Sequence, residues 1–211
     1  MRNLTIPAAT VAVLAIAPAA LAAPVHYSID SAHSSANFKV KHLMVSNVRG
    51  SFSDLKGSIT YDAAHPEQTV VEATIGVASV NTGNEKRDGH LKSPDFFDVA
   101  NHPKMTFTST AVKKQGQKLL VTGDLSLHGV TKPVTLTVEG PTKEWTNPWG
   151  QVVRGASVTG KINRKDFGLA WGKVTEAGAV VVGEDVNLEF ELELVKAAEA
   201  PKDAKPADAK K

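Results

Sequence analysis

Hydrophobic and polar residues alternate with a period of two along most of the chain. In Ser34–Leu43, Ala36, Phe38, Val40 and His42 fall on one face of a strand, and mostly polar side chains fall on the other. Such alternation indicates strands with one buried face and one solvent-exposed face. The other runs of this kind are Val48–Tyr61, Val70–Val80, Lys104–Val112, Leu119–Leu127, Val134–Val138, Val152–Arg164 and Val186–Leu194.

About eight strands joined mostly by short turns favour an antiparallel meander. Closing such a meander into a barrel removes its exposed edges. The sequence therefore predicts a mainly β protein, an antiparallel eight-stranded barrel. The interior of such a barrel is either filled by side chains or holds one small ligand. Small inward positions are expected to leave room, and they are Ala36, Ala73, Gly123, Ala156 and Gly160.

One charged segment, Asn81–Pro103, interrupts the strand pattern. Thr82 and Glu85 have the spacing of a capping box, which predicts a helix from about Gly83. Ser93-Pro94 predicts a second short turn, so we expect a helical segment around residues 83–97. At least one of its two phenylalanines, at positions 96 and 97, should be buried. The segment is either a solvated connector or a lid over one mouth of the barrel.

The two ends of the chain differ from the part between them. Residues 1–22 have a positive start, an apolar run and the small-x-small sequence Ala20-Leu21-Ala22, which predicts a secretory signal peptide. The folded domain is expected to span residues 23–195. Residues 196–211 are rich in Ala, Lys and Pro and predict a disordered tail. We therefore expect an exported protein, periplasmic in a Gram-negative cell, with no transmembrane segment in the mature chain.

Composition excludes several kinds of chemistry. Cysteine is absent, so thiolate metal sites and cysteine nucleophiles are excluded. The formal net charge of +2 is close to neutral and predicts no nucleic-acid partner. The seven histidines show no metal-ligand spacing, so we predict no metal site unless residues distant in sequence converge. No nucleophile elbow, phosphate loop or dinucleotide fingerprint is present in the sequence.

A few polar residues fall in phase with the apolar faces of the strands. They are His42, Ser109, Arg154 and Arg164. A buried arginine without a partner is very unfavourable, so we expect these residues at a barrel end, facing a mouth or a ligand head group. For two of these residues, a purely structural alternative remains open. In that alternative, Arg164 closes the bottom of the barrel through a salt bridge. In the alternative for His42, it is a satisfied histidine at the edge of the core.

Several motifs resemble the YceI-like family of exported lipid- or polyisoprenoid-binding proteins, which have a lipocalin-like barrel. The resemblance covers roughly Tyr27 to Leu194, and it departs at Tyr27, where the family often has tryptophan. The motifs that carry it are Phe38-x-Val40-x-His42, Val48-x-Gly50-x-Phe52, Arg87-Asp88-x-His90-Leu91-x-Ser93-x-Asp95-Phe96-Phe97, Gly123-x-Leu125-x-Leu127-His128-Gly129 and Asn163-Arg164-x-Asp166-Phe167-Gly168.

The resemblance implies a long apolar tunnel that holds a prenyl chain or similar amphiphile, with no cofactor required. Roles in quinone or prenyl-pyrophosphate handling and in stress responses are compatible with it. By analogy with lipocalins, a homodimer is an expectation. The candidate tunnel residues are Phe38, Val40, Met105, Phe107, Leu125, Leu127 and Phe190. The candidate mouth residues are His42, Arg87, Asp88, His90 and Arg164.

Two rival functions remain. One is an enzyme acting on a lipid substrate, with Asp88 and His90 as an acid/base pair, although two nearby ionisable groups are weak support for catalysis. The other is a packed barrel whose outer surface binds a membrane redox partner. An interior too full for a ligand would favour this last interpretation.

Overall fold

A computed structural model describes residues 23–172 and 180–198. Its one α-helix in these ranges, α1, spans Glu85–Lys92, and short 3-10 turns lie at Pro66–Gln68, Val77–Ser79 and Arg164–Phe167. The strands are β1 Val25–Ile29, β2 Ser35–His42, β3 Ser46–Phe52, β4 Leu55–Tyr61, β5 Val70–Gly76, β6 Val80–Asn81, β7 Lys104–Gln115, β8 Lys118–Leu127, β9 Val130–Glu139, β10 Trp145–Thr146, β11 Val152–Asn163 and β12 Val182–Lys196.

Eight of these strands form a closed antiparallel ring in the order β1-β4-β5-β7-β8-β9-β11-β12, with β12 returning to β1. The predicted eight-stranded antiparallel barrel is therefore confirmed. Strand β12 holds the ring together because it pairs with β11 along most of its length. Its other edge pairs with β2 at one end and with β1 at the other, and β3 and β6 continue outward from β2.

The strand assignments differ from the sequence expectation at several places. The predicted run Val70–Val80, for example, is divided into β5 and β6 by the 3-10 turn Val77–Ser79. Strand β1 was not predicted, because five residues are too few for alternation to stand out. The predicted run Val48–Tyr61 is two strands, β3 and β4, interrupted at Ser53-Asp54. The predicted signal peptide lies outside the described residues, as does the predicted tail from residue 199 onward. Strand β12 includes Lys196, the first residue of that predicted tail.

The pairing defines two ends of the barrel. The end that carries α1, the β2–β3 and β8–β9 turns and the Arg164–Phe167 turn is called the helix end. The opposite end carries the β4–β5 connection, the β7–β8 turn and the residues between β9 and β11, and it is called the loop end. Within the described part of the chain, no helix is long and apolar enough to span a bilayer.

The helical segment closes the helix end. Phe96 is buried, and Phe97 packs against two separate groups of core residues, one around Phe52 and one around Phe167. Leu91 and Val99 also pack against the group around Phe52. The expectation that a phenylalanine of this segment is buried is confirmed. The apolar side of the segment packs against the core and is therefore not a solvated connector.

The start of α1 differs from the prediction. Asn84, and not Thr82, is the N-cap, and its side chain accepts a hydrogen bond from the Arg87 backbone N–H. Asparagine is at least as good an N-cap as threonine, and Gly83 takes the left-handed conformation (φ +74) that lets the chain turn before it. Thr82 is then free to hydrogen-bond with Arg87 and Asp88.

The small inward residues do not all leave room, contrary to the expectation. A Cβ atom at Gly123 would lie 2.5 Å from the ring of Phe107, and one at Gly160 would lie 2.5 Å from Leu136. The large neighbours therefore already occupy the space that these glycines release. Ala36 is fully buried in the core, whereas Ala73 and Ala156 do line the interior cavity.

Candidate ligand-binding cavity

The barrel encloses a cavity of about 180 Å³. That is more than ten times the roughly 10–15 Å³ that one enclosed water requires. It extends from Tyr61, Thr69 and Pro141 at the loop end to Leu127 and Ile162 at the helix end. Its walls are aliphatic and aromatic along nearly the whole length. Such a cavity does not hold water well and favours an apolar occupant.

Six of the seven predicted tunnel residues line this cavity. They are Phe38, Met105, Phe107, Leu125, Leu127 and Phe190. Val40 does not line this cavity. It pairs with Val48 on β3 and Val186 on β12, farther toward the helix end than the part of β2 that lines the cavity. That the six residues contact a ligand stays a prediction.

Arg87 and Asp88 are turned toward the loop that precedes α1. The Arg87 Nε donates to the Thr82 hydroxyl oxygen at 2.7 Å, and its Nη2 donates to the Thr82 carbonyl oxygen at 2.8 Å. Asp88 accepts hydrogen bonds from both the backbone N–H and the hydroxyl of Thr82. Asp88 therefore does not form the ion pair with Lys92 that their spacing on a helix allows. Both side chains fasten the entry to the helix, and neither lines the cavity.

His90 is also engaged locally. Its Nε2 lies 2.8 Å from the Asp95 carboxylate, and its ring packs edge-on against Phe96 and Trp171. Asp88 and His90 thus have separate partners and do not form the hydrogen-bonded pair that the enzyme hypothesis would use. His42 is half-buried at the end of β2, opposite Ser46 and Val182, and it does not line the cavity.

Arg164 closes the helix end from inside. It is only 4% exposed, and its guanidinium donates to the backbone carbonyls of Leu169, Val182 and Gly183. Burial lowers the pKa of this guanidinium, while the nearby Glu184 opposes that shift. The sequence left a head-group contact and a salt bridge open for Arg164. The structure instead uses it to tie the Arg164–Phe167 turn to the start of β12 through carbonyl oxygens.

The loop end has a polar group beside the cavity, Arg154. Its guanidinium stacks on the rings of Tyr27 and Tyr61, with the central carbon 5.6 and 5.3 Å from the ring centroids. Its Nη1 donates to the Thr142 carbonyl oxygen at 3.0 Å, and its Nη2 lies 3.6 Å from Glu144. The Nε of Arg154 is buried and has no hydrogen-bond partner among the described residues. A ligand oxygen or a water would satisfy this donor.

The residues around Arg154 form one network. The Tyr27 hydroxyl donates to Glu144 at 2.6 Å. Burial, together with this hydrogen bond, raises the pKa of Tyr27 to about 12. The same hydrogen bond holds the pKa of Glu144 below its usual range. Tyr61 belongs both to this network and to the cavity wall, so the network adjoins the interior. The period-two pattern had placed Arg154 on the inward face, but not in the candidate site.

The closed barrel and its apolar interior define a class of protein, the antiparallel barrel with an internal apolar cavity. The chain belongs to the YceI-like family, since the YceI-like domain matches residues 27–194. A curated relative, the protein YceI of Escherichia coli, is 42% identical over 153 residues, which cover 72% of this chain and 80% of that relative.

Solved structures show the same fold. BcnA of Burkholderia cenocepacia superposes with a TM-score of 0.67 at 26% identity, covering 78% of this chain and 98% of that one. A polyisoprenoid binding domain from Saccharophagus degradans superposes with a TM-score of 0.58 at 22% identity, covering 82% of this chain and 99% of that domain. At that identity, the second similarity concerns the fold alone.

Proposed function

We propose that this protein binds and carries a long apolar amphiphile in its barrel without altering it chemically. The ligand is a polyisoprenoid, a prenyl quinone or a fatty-acid derivative. The observation that carries the proposal is the enclosed cavity, which is apolar from the loop end to the helix end. Each buried methylene contributes about 0.8 kcal/mol, so the tail of such a ligand supplies most of the affinity.

The ligand enters tail-first, and its head group stays at the loop end. Arg154 supports this orientation because its buried Nε is a charged donor that finds no acceptor in residues 23–172 and 180–198, next to a tyrosine that lines the cavity. The candidate mouth residues at the helix end offer less, since Arg87, Asp88, His90 and Arg164 already have protein partners. The protein therefore orients its ligand with few polar contacts.

The family, the predicted signal sequence and the cavity bear on the remaining parts of the proposal. Membership of the YceI-like family supports a binding protein over an enzyme. The signal sequence predicted over residues 1–22 supports a periplasmic carrier that collects its ligand after export. The cavity makes a packed barrel acting through a membrane redox partner the weaker alternative. The homodimer stays an expectation by analogy.

The test compares two glutamate substitutions on adjacent residues of β7. Phe107 is buried and lines the cavity, whereas Thr108 is exposed on the outer face of the same strand. Each variant, and the unaltered chain, is exported, purified without detergent and extracted with organic solvent for mass spectrometry. We expect a prenyl lipid or quinone in the unaltered protein and in Thr108→Glu, and its loss in Phe107→Glu, because a carboxylate in the cavity excludes an apolar chain.

Circular dichroism shows whether Phe107→Glu keeps its β-structure. If it unfolds, Ala156→Phe takes its place, because this variant fills the cavity without adding charge. Equal lipid content in a folded cavity variant and in Thr108→Glu would contradict the tunnel assignment. An empty extract from the folded unaltered protein would favour the packed-barrel interpretation.

A further inference from the structure

Three potential metal ligands converge at the helix end. They are Asp98 and His102, from the connection between α1 and β7, and His128, from the β8–β9 turn. Each is half-buried, and one ligand atom from each lies within 4.8 Å of the others. This is the convergence of residues distant in sequence that the spacing of the histidines could not reveal. None of the three has a part in the ligand cavity or in the network around Arg154.

Among the described residues, His128 and Asp98 each use one side-chain atom in a hydrogen bond and keep a second atom available as a metal ligand. The Nδ1 of His128 lies 3.3 Å from the Phe167 carbonyl oxygen, to which it donates, so its Nε2 keeps the lone pair. Metal-binding histidines commonly donate their second nitrogen to a backbone carbonyl in this way. The Oδ2 of Asp98 accepts a hydrogen bond from the Asn101 side chain at 2.8 Å, which leaves its Oδ1 available.

The backbone also holds the cluster in unusual conformations. Asp98 (φ +46) and His128 (φ +52) are left-handed, although neither is glycine. Such conformations are unfavourable, and they gather where the surrounding structure requires a particular side-chain position. Gly129 completes the arrangement, because a Cβ atom there would lie 2.7 Å from the His102 ring. The ring of His102 can approach His128, with 4.8 Å between their centroids, only beside a residue without a side chain.

We propose that Asp98, His102 and His128 bind one divalent transition-metal ion of the zinc type. Two imidazoles and a carboxylate suit Zn²⁺, Co²⁺ and related ions, whereas Mg²⁺ and Ca²⁺ prefer oxygen ligands alone. Three protein ligands leave a coordination position for water or an exogenous group. The ion joins the connection after Phe97 to the turn after Leu127, and so fastens the segment that closes the helix end to the barrel wall.

A second cluster offers a matched control. Asp30, His33 and Glu193 also bring ligand atoms within 4.8 Å, but Asp30 and His33 are hydrogen-bonded to each other and His33 is exposed. All three members of the helix-end cluster are half-buried, whereas this second cluster includes an exposed histidine. This difference in burial favours the helix-end cluster as the metal site.

The experiment titrates the full chain, without an affinity tag, with Zn²⁺ in competition with a chromophoric chelator. His128→Asn is the main variant, because asparagine tolerates the left-handed conformation at this position. We expect one Zn²⁺ per chain, and a loss of affinity of more than about 100-fold in His128→Asn and in His102→Ala. Even an outer hydrogen-bond partner of a metal ligand is typically worth about 10- to 100-fold. His33→Ala should bind Zn²⁺ like the unaltered protein.

Two further readouts separate metal binding from loss of structure. Zn²⁺ should raise the melting temperature of the unaltered chain and of His33→Ala but not of the two helix-end variants, because an ion that binds only the folded state stabilises it. Co²⁺ should give visible absorption bands that disappear in His102→Ala. Absence of Zn²⁺ binding, or binding lost in His33→Ala and kept in both helix-end variants, would overturn the proposal. The lipid content of the barrel does not enter this test.

Discussion

The two ends of the barrel use their charged residues in opposite ways. At the helix end, the sequence is dense in ionisable groups, yet Arg87, Asp88, His90 and Arg164 all have protein partners. At the loop end, Arg154 has protein partners for Nη1 and Nη2, but its buried Nε beside the cavity has no hydrogen-bond partner within the described part of the chain. A high local density of charge therefore does not locate a ligand site. An unsatisfied buried group next to an apolar cavity is the more informative sign.

The largest expected effect is a loss of stability at the helix end, caused by Arg164→Lys. Lysine keeps the charge but cannot serve three carbonyl oxygens with a planar fork. Since each buried acceptor left without a donor costs about 1–3 kcal/mol, we expect the free energy of unfolding to fall by about 3 kcal/mol or more. Urea denaturation measures this loss. Unchanged stability together with weaker ligand binding would instead make Arg164 a head-group residue.

The next effect concerns ligand binding and compares Arg154→Met with Arg87→Met. The ligand is a ubiquinone with a short prenyl tail, added to delipidated protein and followed by isothermal titration calorimetry. A hydrogen bond from a charged donor is worth about 1.5–3 kcal/mol, so Arg154→Met should bind about 10- to 100-fold more weakly. Arg87→Met should bind normally, because the side-chain hydrogen bonds of Arg87 seen among the described residues go to Thr82 in its own loop. The reverse result would place the mouth at the helix end.

The smallest effect is a dependence of stability on pH at the loop end. Burial raises the pKa of Tyr27 to about 12 from its ordinary value near 10. Folding therefore favours the protonated phenol, and its contribution is fully present below pH 10 and is lost as the pH rises toward 12. Stability curves for the unaltered protein and Tyr27→Phe should diverge in slope over this range, and parallel curves would contradict the buried state of Tyr27.

Much of the fold was predictable because alternation records which side chains face inward. The same pattern located six of the seven proposed tunnel residues on the cavity wall. Val40 does not line the cavity, and alternation could not show this because it gives the face of a strand but not how far along the barrel a residue lies. Strand β1 was missed because it has only five residues. Which strands form the ring depends on pairing between strands distant in sequence, such as β1 with β12. A local pattern of hydrophobic residues does not carry this information.

The polar residues of the site were harder to predict, since their role depends on partners from other strands. Arg154 meets Tyr27 and Tyr61 only after β11, β12, β1 and β4 pair in register. The N-cap of α1 is Asn84 and not the predicted Thr82, whose side chain instead hydrogen-bonds with Arg87 and Asp88. The cluster of Asp98, His102 and His128 likewise exists only once the β8–β9 turn lies beside the connection after α1.

The most direct test of the central claim is a crystal structure of the delipidated protein reloaded with a ubiquinone that has a short prenyl tail. We predict the tail inside the barrel against Phe107 and Leu125, and a quinone oxygen that accepts a hydrogen bond from the Arg154 Nε. A head group beside His90 and Arg164, or a barrel that excludes the ligand, would contradict the assignment of the loop end as the mouth of a carrier.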